Sequence, residues 1–147
     1  MTLLRTPSQT VGPFYGIGLC RRDENALDPD GIELAGTLVD GRGEPVPDGL
    51  IELWDASGRR WGRCGTDSGG RFSFLVPRDC DVLEAFVFAR GLLRHERTRV
   101  YLHETEDEVL SKLSTDERQA LVARNDGGRL RFDIRMQGEG PTVFFEH

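Results

Sequence analysis

From residue 33 onward the chain is a succession of short apolar runs, most of them closed by glycine, proline, aspartate or asparagine. The runs are ELAGTLVD (33–40), LIELWDA (50–56), RFSFLV (71–76), EAFVFA (84–89), RTRVYLH (97–103), RLRFDIRM (129–136) and TVFF (142–145). Aromatic and β-branched side chains dominate them, which suits a pleated, half-buried surface. The intervening GRGEPVPDG and SGRRWGRCGTDSGG are read as breaks, and DSGG within the second as a hairpin turn. Several short strands at this spacing predict an all-β domain, an antiparallel sandwich or barrel. In 129–136, Leu130, Phe132, Ile134 and Met136 fall on one face and Arg129, Arg131, Asp133 and Arg135 on the other, so one face enters a core. One helix interrupts the strands. In STDERQALVARNDGG, Ser114 and Glu117 form a capping box, Arg124 suits the negative helix end, and Asn125 with Gly127 supplies a stop. A second short turn is expected around Thr105 to Leu110.

With 147 residues the chain is long enough for one domain with a real core. A net charge of -6 argues against general nucleic-acid or membrane-surface binding. No apolar run reaches membrane-spanning length, and MTLLRTPSQT lacks the apolar core of a signal peptide, so a cytoplasmic location is expected. Cys20, Cys64 and Cys80 are odd in number and widely spaced, fitting neither a disulfide framework nor a zinc motif.

The residues hold no self-sufficient catalytic constellation. None of the serines lies in a nucleophile elbow, no loop is built to cradle phosphate, and the acidic HETEDEVL reads as a solvated lead into a helix. Tyr101 and His103, two apart on a strand, would share a face, but no histidine pair stands at ligand spacing. Two features remain. Arg90, Arg94, Arg97 and Arg99 crowd into ARGLLRHERTR; most such arginines make surface ion pairs, yet Arg90 ends an apolar strand before Gly91 and is placed to meet a carboxylate-bearing ligand. The opening TPSQTVGPFY puts Phe14 and Tyr15 in an arm with no regular structure, so these rings pack either on their own domain or on a partner.

TPSQTVGPFYGIG, DGRGEPVPDGLIELWDASG, GRCGTDSGGRFSF, FARGLLRHERTRVYL and RFDIRMQGEGPTVFFEH together resemble the intradiol ring-cleaving dioxygenases, and within them the α chains of the heteromeric members. The resemblance implies a β-sandwich of the intradiol type over 32–147, preceded by an arm, 1–31, that packs on a partner subunit. It implies pairing with an iron-bearing β subunit in a large hetero-oligomer, that subunit holding Fe(III) through two tyrosines and two histidines. The substrate implied is protocatechuate, opened between its hydroxylated carbons to 3-carboxy-cis,cis-muconate during the degradation of aromatic compounds. This chain departs from the metal pattern: Val82 and Glu84 stand where the histidines are expected, no tyrosine lies between Gly58 and Val82, and loops are absent after Arg60 and after Pro77. No catalytic residue, metal ligand or bound cofactor is therefore expected here, and the isolated chain is expected to be inactive. Carried over to matching positions, Thr10, Gly12, Pro13 and Phe14, with Tyr15 adjacent, line the substrate pocket, and Arg90 contacts substrate. The alternative is a stand-alone, non-catalytic β-sandwich binding module.

Overall fold

The computed structural model describes residues 4–10, 12, 15–138 and 140–145. Among these, the strands are β1 (Ile32–Val39), β2 (Leu50–Asp55), β3 (Arg60–Gly65), β4 (Arg71–Val76), β5 (Val82–Phe88), β6 (Glu96–Tyr101), β7 (Arg124–Asp126), β8 (Arg129–Arg131) and β9 (Ile134–Arg135). Two short helices, α1 (Tyr15–Leu19) and α2 (Thr115–Leu121), complete the regular structure with a 3₁₀ turn at Leu110–Lys112. One sheet runs β4-β1-β8-β7, with β9 also on β1; the other runs β3-β2-β5-β6. The pairing is antiparallel except where β8 and β9 lie parallel to β1.

The expected sandwich follows from period-two burial. Leu34, Leu38, Phe72, Phe74 and Val76 from one sheet meet Ile51, Leu53, Leu83, Ala85, Val87 and Val100 from the other in a single core. Each fully buried Leu, Val or Phe contributes roughly 1.5–3 kcal/mol, which outweighs the modest strand propensity of any one run. Phe132 and Ile134 join that core as their alternation requires, with Met136 packed at its margin. A smaller cluster of Tyr101, Leu110 and Leu121 seals α2 against the outer side of the second sheet.

Five local expectations change. The stretch read wholly as a break contains β3, paired residue for residue with β2 from Leu50↔Gly65 to Asp55↔Arg60. DSGG does not close a hairpin: β3 belongs to one sheet and β4 to the other, and the turn carries the chain across. Its geometry needs Gly70 at φ +70, where a Cβ would stand 2.5 Å from the carbonyl of Leu38. The Ser114–Glu117 capping box is present, but α2 ends at Leu121, and Asn125 to Gly128 instead form the β7–β8 hairpin, with Gly127 and Gly128 at φ +62 and +92. Thr105 to Leu110 gives only the approach to the 3₁₀ turn. TVFF is not a strand; Phe145 N–H donates to the carbonyl of Arg97 at 2.8 Å along the edge of β6.

The alternation expected in 129–136 is present, but the strand itself is broken between β8 and β9. Thr37 N–H donates to Asp133 Oδ1 at 3.0 Å, so a side chain replaces the backbone acceptor between β8 and β9.

The first residue of β2, the last of β3 and the last of β5 meet in one row, because Leu50 opposes both Gly65 and Phe88. This end of the second sheet receives the N-terminal segment. Among the described residues, no helix is long and apolar enough to cross a membrane.

Candidate functional site

At that sheet end the turn Pro47-Asp48-Gly49 enters β2 and the segment Ala89-Arg90-Gly91 leaves β5. Tyr15 hydroxyl lies 2.6 Å from the carbonyl oxygen of Asp48 and 3.0 Å from that of Phe88, donating between two strands that the register already holds together. Gly91 takes φ +95, which favours glycine, and its N–H donates to Thr10 Oγ1 at 2.9 Å. Arg90 Nε stands 3.4 Å from Asp48 Oδ2, and its side chain remains 60% exposed. Thr10 and Tyr15 are thus brought to the segment that carries Arg90, which is far from them in the chain. Asp48 and Phe88, which the sequence pattern did not single out, join them; the PDG turn was visible, but the register that places it beside residue 88 was not.

Burial pushes the Tyr15 phenol up to about 12, and Asp48 and Cys20 add to that while Arg90 opposes it. The phenol is therefore a neutral donor. Gly12 has open space around it, a Cβ there meeting nothing within 4 Å. Pro13 and Phe14, the remaining expected pocket residues, lie outside the described residues. Beside Arg90, Gln9, Phe88, Leu92, Leu93, Arg94 and His95 line a shallow cavity of about 210 Å³. The His95 ring lies 5.3 Å from Phe86 and 5.2 Å from Phe88. Two large exposed apolar side chains flank this end: Ile17, in a hollow lined also by Pro47, Asp48 and Gly49, and Leu93 in the cavity beside Phe88.

The arginine cluster divides. Arg97 Nε and Arg99 Nε donate to the two oxygens of Glu84 at 2.9 and 2.8 Å, which makes them a structural bridge between β5 and β6. Among the described residues Arg90 has a single, longer ion pair, and it stands at the sheet end.

The donor set does not fit a ferric ion. Val82 is apolar, and Glu84 is committed to two guanidinia. Tyr101 is wholly buried and donates to Asp107 Oδ2 at 2.7 Å; burial and Asp107 push its phenol up, although Arg99 opposes them, so neither tyrosine is poised as a tyrosinate. His103 does not share its face as the strand spacing predicts, because β6 stops at Tyr101 and the imidazole turns outward to Asp81 at 3.0 Å. Among the described residues no group of three His, Cys, Asp or Glu could hold a metal ion. The three cysteines are free, and burial raises the pKa of each thiol, that of Cys80 to about 11.

Comparison with known proteins agrees with this architecture. The dioxygenase domain of a dioxygenase and carbohydrate-binding fusion from a Streptomyces species superimposes with a TM-score of 0.55 at 21% identity, covering 90% of this chain and 98% of that one. Hydroxyquinol 1,2-dioxygenase from Pseudomonas putida gives 0.54 at 15% identity, covering 95% and 64%. The fold is accordingly that of the intradiol dioxygenase sandwich. In sequence, the protocatechuate 3,4-dioxygenase alpha chain of Burkholderia cepacia is 32% identical over 194 residues, with 99% of this chain and 98% of the relative covered. That of Pseudomonas putida is also 32% identical, over 195 residues, with 98% and 97% covered. The chain belongs to the protocatechuate 3,4-dioxygenase alpha chain family. No family model matches it. Alignments of 194 and 195 positions against 147 residues leave segments of the relatives with no counterpart here. In keeping with that, only residues 56–59 separate β2 from β3, and 77–81 separate β4 from β5.

Proposed function

We propose that this chain is the non-iron-binding subunit of a protocatechuate 3,4-dioxygenase and that it completes the substrate pocket of a ferric β subunit. In this reading the β subunit supplies the iron chemistry that opens protocatechuate to 3-carboxy-cis,cis-muconate. The present chain supplies wall and charge. Residues 1–31 form the arm and 32–147 the sandwich. The segment from Thr10 through Gly12, Pro13 and Phe14 reaches the partner's cavity, and Tyr15 roots it. Arg90 offers its guanidinium to the substrate carboxylate, for which a fork of fixed N–H donors is well matched.

The observation that carries the reading is the meeting of Thr10, Tyr15 and Arg90 at one sheet end, beside apolar side chains left in water. A surface of this kind is stabilised by a covering partner. Donors already engaged in Glu84–Arg97–Arg99 and Tyr101–Asp107 contacts support placing the metal elsewhere.

The test is to purify the chain alone and after co-expression with an iron-bearing β subunit, measuring mass and iron in each. The expected result is an iron-free chain alone and a ferric, visibly coloured complex with the partner. A chain that stays monomeric beside the partner favours a stand-alone binding module instead. Stoichiometric iron in the lone chain overturns the reading.

A further inference from the structure

Asp48 contacts both halves of the proposed pocket wall, and its carboxylate has no role in the reading above. Its carbonyl accepts from the Tyr15 hydroxyl at the root of the arm, while its carboxylate pairs with Arg90. Other arginines near the second sheet are far more fully engaged. Arg60 meets Asp55 and Asp79 at 2.6 and 2.8 Å, and Arg63 gives both Nε and Nη2 to Glu52. Arg90 is approached at Nε, on the stem side of the guanidinium, and no other carboxylate pairs with it among the described residues. The rest of its donor fork remains for a ligand.

We propose that Asp48 is a positioning residue: it holds Arg90 by Nε and so presents the outer guanidinium edge to the carboxylate of a bound aromatic acid. The inference rests on the pocket-wall function proposed above. Two effects of the Asp48 charge oppose each other. It repels the ligand carboxylate, but across an intervening guanidinium whose positive charge lies between the two and offsets that repulsion. It also restricts an exposed arginine that would otherwise lose many rotamers on binding. Restriction outweighs repulsion here, so removing the carboxylate weakens binding.

The experiment uses the co-expressed complex under anaerobic conditions. Dissociation constants for protocatechuate and for catechol, which lacks the carboxylate, are read from the visible ferric absorption. Asp48→Ala is expected to raise the protocatechuate constant about five- to tenfold and to leave that for catechol within about twofold, the range of a lost charge-assisted contact. Asp48→Asn, which keeps an oxygen beside Nε but loses the charge, should recover only part of the loss. Adding Asp48→Ala to Arg90→Ala should cause no further loss. If Asp48→Ala does not assemble, Asp48→Ser keeps a turn-forming residue too short to reach Nε and carries the same expectation. An equal rise for both ligands, or no rise for protocatechuate, overturns the inference. If Arg90→Ala raises the protocatechuate constant and Asp48→Ala does not, the Asp48 role alone falls. If Arg90→Ala also changes nothing, the pocket-wall reading falls with it.

Discussion

The two ends of the β3-β2-β5-β6 sheet each carry an arginine–aspartate pair, and the pairs behave oppositely. At the end where β2 runs into β3, Asp55 is 1% exposed. Its Oδ1 accepts from Ser57 N–H, Ser57 hydroxyl and Gly58 N–H, and its Oδ2 takes Arg60 Nε at 2.7 Å. Arg60 also reaches Asp79. Every lone pair direction is used, so this pair closes the hairpin and stiffens the fold. At the opposite end Asp48 meets Arg90 once, at 3.4 Å, with the arginine largely in water. Identical chemistry serves structure where it is saturated and remains open to a ligand where it is not. Acidity separates the ends further. Burial alone would raise the Asp55 carboxyl, but the hydrogen bonds from Ser57, Gly58 and Arg60 and the Arg60 charge bring it down to about 2. At the other end the Tyr15 phenol is pushed up to about 12.

The contrast is broken most severely by Asp55→Ala. It leaves Arg60 without its buried partner and should cost about 3–5 kcal/mol of stability, read by denaturant unfolding. A loss below about 1 kcal/mol would mean that the saturated end is ornamental. Arg90→Ala should do the reverse. Its effect on folding should stay within about 0.5 kcal/mol, while kcat/KM for protocatechuate in the complex falls by about 1–3 kcal/mol in transition-state terms. Unchanged kinetics would make Arg90 a surface charge. Tyr15→Phe should remove about 1 kcal/mol, seen as faster hydrogen exchange in the arm rather than in the core.

Titration sharpens the comparison more gently. Because the folded pKa of Asp55 lies below its ordinary 3.8, its contribution is complete above about pH 4 and fades as pH falls toward 2. Because that of Tyr15 lies above its ordinary 10, its contribution is complete below pH 10 and fades as pH rises toward 12. Thermal melts across both ranges should lose the Asp55 slope in Asp55→Asn and the Tyr15 slope in Tyr15→Phe, each leaving the other intact.

Much of the sandwich was legible because burial at period two is written directly into ELAGTLVD, RFSFLV and EAFVFA. β3 was not, and its glycines explain why. Gly62 looks like a breaker, yet a Cβ there would stand 2.4 Å from Leu27 Cδ1, so the glycine admits the N-terminal segment against the strand. Tertiary approach of this kind leaves no local pattern. Arg90, Thr10 and Tyr15 could be named from motif resemblance, whereas Asp48 required the pairing of Leu50 with Phe88. The separation of Arg97 and Arg99 from Arg90 likewise depended on Glu84 projecting from the neighbouring strand between them.

The most direct measurement adds the purified chain stepwise to an iron-bearing β subunit and follows protocatechuate cleavage. The account predicts no cleavage by this chain alone, and a rise with added chain that levels off at one chain per iron. Turnover by the chain alone, or a β subunit equally active without it, would contradict the account.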